Sequence, residues 1–462
     1  MHPTSLGPGS GQTLTASDFG TDFIWGTATA AYQIEGAVDQ GGRGPCIWDE
    51  FAEKKGRIKN NDKAGVACDF YSRFETDLEI AAKLGFKNFR FSVSWSRILP
   101  EGVGEINRTG IDFYNRLIDK CLALDLVPWL TLYHWDLPLS LEKRGGWKNR
   151  EVVGWFAAYT SICAGAFGDR VNNWIVMNEP MATAGLGYTT GLHAPGKKGL
   201  WNFLPVVHHL ALSQAEAGRV IRSQFPEAYI GTALSCSYVE PATERVKDIR
   251  AARRADALMN RLFIEPALGM GYPSDAFPYL AKIRKYMRSG DDEKLKFDFD
   301  FIGLQNYFNV VVRHSYRVPV LWLKEEPAVK RNKPVTAMGW EIAPEGMYRI
   351  LDQFSQYTGI RDIIVTENGA AFQDVVEQGE VRDTARLNFF REYLAQVLKA
   401  KQEGASVKGY FAWTFLDNFE WAEGYSARFG LVYVDFETQE RIVKDSGKWF
   451  SDFLQKSDYF LK

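Results

Sequence analysis

No stretch of this 462-residue sequence stays apolar for the roughly 20 residues that a membrane-spanning helix needs. Neither sign of charge dominates. The chain has 55 Lys and Arg against 57 Asp and Glu, a formal net charge of −2. It therefore carries no electrostatic footprint for nucleic acid or an anionic membrane. G-x-G-x-x-G and G-x-x-x-x-G-K-[ST] are both absent, so dinucleotide and P-loop chemistry have no support. Histidine is scarce, with six residues and no H-E-x-x-H, and no His/Cys spacing of zinc type occurs. The adjacent His208 and His209 would point about 100° apart on a helix, which reads as structural rather than metal-binding. The five cysteines, Cys46, Cys68, Cys121, Cys163 and Cys236, are odd in number, widely spaced and free of C-x-x-C. They read as reduced, buried thiols. The stretch 1–17 is rich in Gly, Ser, Thr and Pro and lacks an apolar core after a basic start. We expect it to be a disordered tail rather than a signal peptide, and the protein to be cytoplasmic. Chemistry, if present, should run on carboxylates, without metal or cofactor.

What the chain has in quantity is aromatic surface: 14 Trp, 20 Tyr and 31 Phe. Such residues suit a large core, and they also suit the C–H faces and hydroxyls of a sugar. Eight short apolar, β-rich runs, at 23–27, 88–95, 127–133, 173–177, 230–235, 301–305, 362–366 and 409–413, alternate with helical patterns. One such helix has Ile111, Tyr114, Leu117, Ile118 and Cys121 on one face. Eight near-continuous apolar strands alternating with helices predict an α/β fold, a single (β/α)8 TIM barrel. No linker or charge run divides the chain, so 18–462 reads as one catalytic domain. The stretches 35–70, 236–298 and 308–360 read as long βα-loop insertions.

Chemistry in such a barrel sits where strands end. Polar residues cluster there: Gln33 after the first run, Arg90 in the second, and His134 at the end of the third. Asn178 and Glu179 end the fourth run, Gln305 and Tyr307 the sixth, and Glu367 the seventh. Trp413 ends the eighth and leads to Glu420 and Trp421. Strands four and seven face each other across a barrel mouth, so Glu179 and Glu367 form a carboxylate pair suited to glycosidic bonds.

These residues lie in blocks: FIWGTATAAYQIEG (23–36), RFSVSWSR (90–97), YHWDLP (133–138), WIVMNEP (174–180), VTENG (365–369) and LDNFEW (416–421). In this order they resemble glycoside hydrolase family 1, the β-glucosidase type, from Phe23 to about Phe453. The resemblance implies that Glu367 is the nucleophile and Glu179 the general acid/base. It implies that Gln33, His134, Asn178, Glu420 and Trp421 hold hydroxyls of the sugar, with Trp413 beneath its ring. Arg90 and Tyr307 match residues that hold the nucleophile, and Trp340 a wall of the leaving-group site. Where the family usually has Asn, this chain has Gln305, which is expected to support the nucleophile through a longer amide. Gln305 and Tyr307 should face the barrel interior and Asn306 should face away.

The reading is thus a retaining exo-β-glycosidase acting on a small β-glucoside or oligosaccharide, with β-galactosidase or β-fucosidase activity possible alongside. Two alternatives stay open: a 6-phospho-β-glycosidase on the same barrel, and a non-catalytic sugar-binding barrel. Aglycone, linkage and oligomeric state are not legible.

Overall fold

A computed structural model describes residues 14–455. Eight parallel strands close into a barrel in chain order: β1 (Ile24–Ala28), β2 (Asn88–Ser92), β3 (Val127–Thr131), β4 (Asn173–Asn178), β5 (Tyr229–Ser235), β6 (Phe301–Gln305), β7 (Asp362–Asn368) and β8 (Val407–Trp413). β1 pairs with β8 from Ile24↔Gly409 to Ala28↔Trp413, which seals the sheet. Helices α1 (Phe70–Lys83), α2 (Arg108–Ala123), α3 (Val152–Phe167) and α4 (Leu200–Gln224) follow β1 to β4. Further along come α5 (Val246–Asp256), α6 (Pro344–Ser355), α7 (Thr384–Gln402) and α8 (Asp445–Gln455). On α2 the buried residues include Ile111, Tyr114, Leu117, Ile118 and Cys121, the face its periodicity predicts.

The barrel interior packs Trp129, Ile175, Phe301, Ile364 and Phe411 into one cluster. Large rings fit because glycine faces them. A Cβ on Gly26 would lie 2.3 Å from the Phe411 ring, and one on Gly231 would lie 2.4 Å from Phe301. Below the barrel, Trp25 packs edge-on against Phe453 of α8, with ring centres 5.0 Å apart, and Phe19 closes against both.

Two expectations change. Of the tail 1–17, residues 1–13 lie outside the described residues, whereas Ala16 begins a short 3₁₀ turn running to Phe19, capped by Thr15. Burial of Ala16 and Phe19 beneath the barrel orders that segment. The stretch 308–360 is not wholly an insertion, since α6 within it is the barrel helix between β6 and β7. The rest pairs with the other long insertion: Val239–Pro241, Val310–His314 and Leu323–Glu325 form one three-stranded sheet, with α5 packed on it. Among the described residues no helix is long and apolar enough to cross a membrane, and all five cysteines are free and buried. His208 bonds Tyr272 and Asp291, and His209 bonds the Trp147 carbonyl, so each is tied into the scaffold.

Candidate active site

The barrel mouth opens into a cavity of about 400 Å³, and its wall includes His134, Glu179, Tyr307, Trp340, Glu367, Trp413, Glu420 and Trp421. Both glutamates arrive there through irregular strand ends. Along β4 the pairing with β5 passes from Ile175↔Gly231 to Asn178↔Ala233, one residue more on β4. Along β7 the pairing with β6 passes from Val365↔Leu304 to Glu367↔Gln305, again one residue extra. A bulge of this kind bends the strand and re-aims the side chains beyond it. Glu179 then takes a left-handed conformation (φ 42°, ψ 64°), uncommon for a residue with a Cβ, with Pro180 starting a short helix behind it. The Glu179 N–H donates to the Ala233 carbonyl at 2.8 Å, which fixes the turn.

Glu367 is held from two sides. Arg90, fully buried on β2, forms an ion pair with Oε1, and the Tyr307 hydroxyl donates to Oε2 at 2.6 Å. Arg90 is itself fixed by Thr131 Oγ1 and the Thr366 carbonyl, both at 3.1 Å, and by Asn178 Oδ1 at 2.5 Å. Burial raises the pKa of Glu367, opposed by Arg90 and the tyrosine hydrogen bond. Tyr307 has its own pKa pushed well above the ordinary phenol value, chiefly by burial, so it remains a donor.

Glu179 has no such cation. Burial, and then the charge of Glu367, push it up to about 8, with a hydrogen bond from Ser235 and the more distant Arg90 working against them. Two carboxyls in one cavity are thus driven apart: the arginine-paired one ionises first and the other keeps its proton at neutral pH.

A profile of glycosyl hydrolase family 1 matches residues 15–459. The chain belongs to glycosyl hydrolase family 1. It is 45% identical over 441 residues to a 1,4-beta-D-glucan glucohydrolase of Thermotoga neapolitana, covering 95% of this chain and 98% of the relative. A solved family 1 β-glucosidase from Thermotoga maritima superposes with a TM-score of 0.91 at 44% identity, over 94% of this chain and 98% of that one. The Thermotoga maritima β-glucosidase in complex with glucoimidazole gives 0.90 at the same identity and coverage.

In this family 1 glycosidase the remaining expected residues form a connected, partly unsatisfied network. Asn178 Nδ2 lies 3.1 Å from His134 Nε2 and donates to it, which leaves the proton of the neutral imidazole on Nδ1. Burial, and then Arg90, lower the His134 pKa well below its usual value, so the ring stays neutral. Its Nδ1 is buried without a partner. Gln33 donates to Asn418 Oδ1, the Phe419 carbonyl and Glu420 Oε2 at 3.1–3.2 Å, while its Oε1 is also unpartnered. A buried donor and a buried acceptor without protein partners suit hydroxyls arriving on a ligand.

Burial and the charge of Glu367 push Glu420 up to about 8, so in the open cavity it holds a proton at neutral pH. Trp421 stacks with Tyr32 at 6° and packs 4.6 Å from both Trp48 and Trp135. Its segment is anchored from behind. Asp417 is buried and accepts from Lys444 Nζ at 2.6 Å and Arg428 Nη1 at 2.7 Å. Trp413 faces His134 with ring centres 5.9 Å apart and planes 19° from parallel. Trp340 sits between Phe308 and Phe429, at 5.0 and 6.0 Å, over Tyr307.

The strand-six register holds: Tyr307 reaches Glu367, and Asn306 turns away to the Cys236 carbonyl at 2.9 Å. Gln305 departs from expectation. Its Nε2 donates to Asn178 Oδ1 at 2.7 Å instead of to Glu367, although the bulge sets Glu367 beside it in the strand pairing. Sequence reasoning also missed wall residues: Met181, His193, Met259, Phe308, Met338 and Phe429. Met181 and Met259 lie on short helical segments and the others on irregular ones, so no strand pattern marks any of them. Among the described residues no three His, Cys, Asp or Glu side chains are grouped as metal ligands would be.

Proposed function

We propose that this glycosidase is a β-glucosidase, removing terminal non-reducing β-D-glucosyl residues from small β-glucosides by double displacement with retention. The observation that carries the reading is the split of the two carboxyls. Glu367 lies against Arg90 and Tyr307 and is ready to attack as an anion, while Glu179 holds a proton at neutral pH. In the first step Glu367 attacks the anomeric carbon and Glu179 protonates the departing oxygen. Esterification removes the charge of Glu367, which is one of the causes that raise Glu179. The pKa of Glu179 then falls, and it takes the proton of the incoming water.

His134 Nδ1 and Gln33 Oε1 receive ring hydroxyls, Glu420 the O4 and O6 side, and Asn178 the 2-hydroxyl. Trp413 supports the ring, Trp421 its far edge, and Trp340 the leaving group. Galactosides and fucosides, which differ at O4 or O6, are slower alternatives at the same site. A 6-phosphoglucoside is disfavoured, since among the described residues no lysine or arginine lines the cavity. The five free, buried cysteines fit a cytoplasmic enzyme.

The test is an NMR time course on an aryl β-glucoside, with the 6-phosphate as competitor. β-Glucose should appear first and the phosphate should be a poor substrate. α-Glucose first would overturn retention, and preference for the phosphate would overturn the substrate. Glu367→Gly should abolish turnover and, with azide, yield α-glucosyl azide.

A further inference from the structure

Outside the carboxylate pair, the cavity changes character. Three of the chain's eight methionines, Met181, Met259 and Met338, stand half-buried in its wall together with Phe308, Trp340 and Phe429. They converge from unconnected places: Met181 directly follows Glu179-Pro180, Met259 follows α5, and Met338 lies in the loop before α6. The Met181 methyl lies against Gly185, four residues on in the helical segment that follows, where a Cβ would come within 3.3 Å of it, so the helix backbone supports the thioether. Trp340, Phe308 and Phe429 form one ring cluster, with centres 5.0 and 6.0 Å from the indole.

Polar groups are few on this side. Glu423 pairs with Lys59 at 3.1 Å. His193 is wedged between Trp48 and Trp135, and burial lowers its pKa to about 4. A second glucose seated here would bring several hydroxyls to a wall with almost nothing to bond them, and a desolvated hydroxyl without a partner is unfavourable. Thioethers on three rotatable bonds adapt to chains of varied shape and attract apolar and aromatic groups.

We propose that the leaving-group side of this site selects apolar aglycones, the β-glucosides of alkyl and other hydroxyl-poor alcohols, over β-linked glucose. This rests on the β-glucosidase reading above and adds to it the class of group released. The wall of Met181, Met259 and Met338 recognises the released alcohol by area of contact.

The experiment measures kcat/KM for n-alkyl β-D-glucosides from ethyl to heptyl, with cellobiose alongside. The alcohols of this series have nearly the same acidity, so the chemical step is constant and only contact changes. Each methylene that the wall covers should raise kcat/KM by up to about fourfold, and the rise should level off once the chain leaves the cavity. Heptyl glucoside should exceed cellobiose by at least about tenfold. The doubly substituted Met259→Gln/Met338→Gln protein, checked for folding by its melting curve, should flatten the alkyl slope and bring cellobiose closer.

A flat alkyl series, or cellobiose equal to or better than heptyl glucoside, would overturn the proposal. So would a slope that the folded double variant leaves intact. Failure to cleave any β-glucoside is a different result and would overturn the β-glucosidase reading itself.

Discussion

Asn178 is the most committed side chain of the site. Its Oδ1 accepts from both Arg90 and Gln305, and its Nδ2 donates to His134. Shortening Gln305 to Asn withdraws one of the two donors, so the effect should fall on the Asn178–His134 pair rather than on the nucleophile. Gln305→Asn is expected to cost on the order of 1 kcal/mol in kcat/KM, with the pH profile unmoved. Tyr307→Phe should behave in the opposite way. The hydroxyl favours the ionised form of Glu367, so its loss raises that pKa, and the acidic limb of kcat/KM should move up by about one pH unit. Turnover should fall by roughly ten- to a hundredfold, as expected when a hydrogen bond to a charged group is removed.

Glu179 sets the other limb. It must carry a proton to act as the acid, so activity should decline as pH rises through about 8. Stability follows the same sign: the folded carboxyl binds its proton more tightly than an unfolded one, so stability is lost between about pH 4.5 and about pH 8. Glu179→Gln should remove that loss and melt higher than the parent at pH 8, by on the order of 2 kcal/mol, while hydrolysis of alkyl glucosides collapses. Parallel melting curves at pH 5 and pH 8 read it directly.

At the level of elements, strands were the most legible part of the sequence. Each apolar run lies on a barrel strand, because a strand buried on both faces must be written in Val, Ile, Phe and their kind. Irregularities were not legible. The bulges that turn Glu179 and Glu367 into the cavity lie in sequences, Ile175 to Asn178 and Val365 to Asn368, with no Gly or Pro to betray them. Family blocks found both glutamates, but the blocks do not say that Gln305 would stop at Asn178. Interior glycines are equally silent until their partner is known. Gly26 is a β1 residue whose missing side chain holds the Phe411 ring. Gly26→Ala should overpack the barrel and cost roughly 1–3 kcal/mol, seen as a lower urea midpoint with little change in slope.

Across the whole molecule the first and last described segments meet beneath the barrel, where Phe19, Trp25 and Phe453 share one aromatic cluster. Phe453→Ala is expected to cost roughly 3–5 kcal/mol without altering KM, a separation that steady-state kinetics and thermal melts would check together. The upper rim has the reverse organisation. Two of its long insertions share one small sheet, Val239–Pro241 with Val310–His314 and Leu323–Glu325, on which α5 packs. These segments flank β6 in the chain yet behave as one piece. A recombination crossover placed between them would hand a chimera two half-sheets from different parents, each with edges cut for another partner. Breeding new specificities from this scaffold therefore calls for inheritance of 236–325 as a single cassette, while the segment around Met338 can be exchanged by itself.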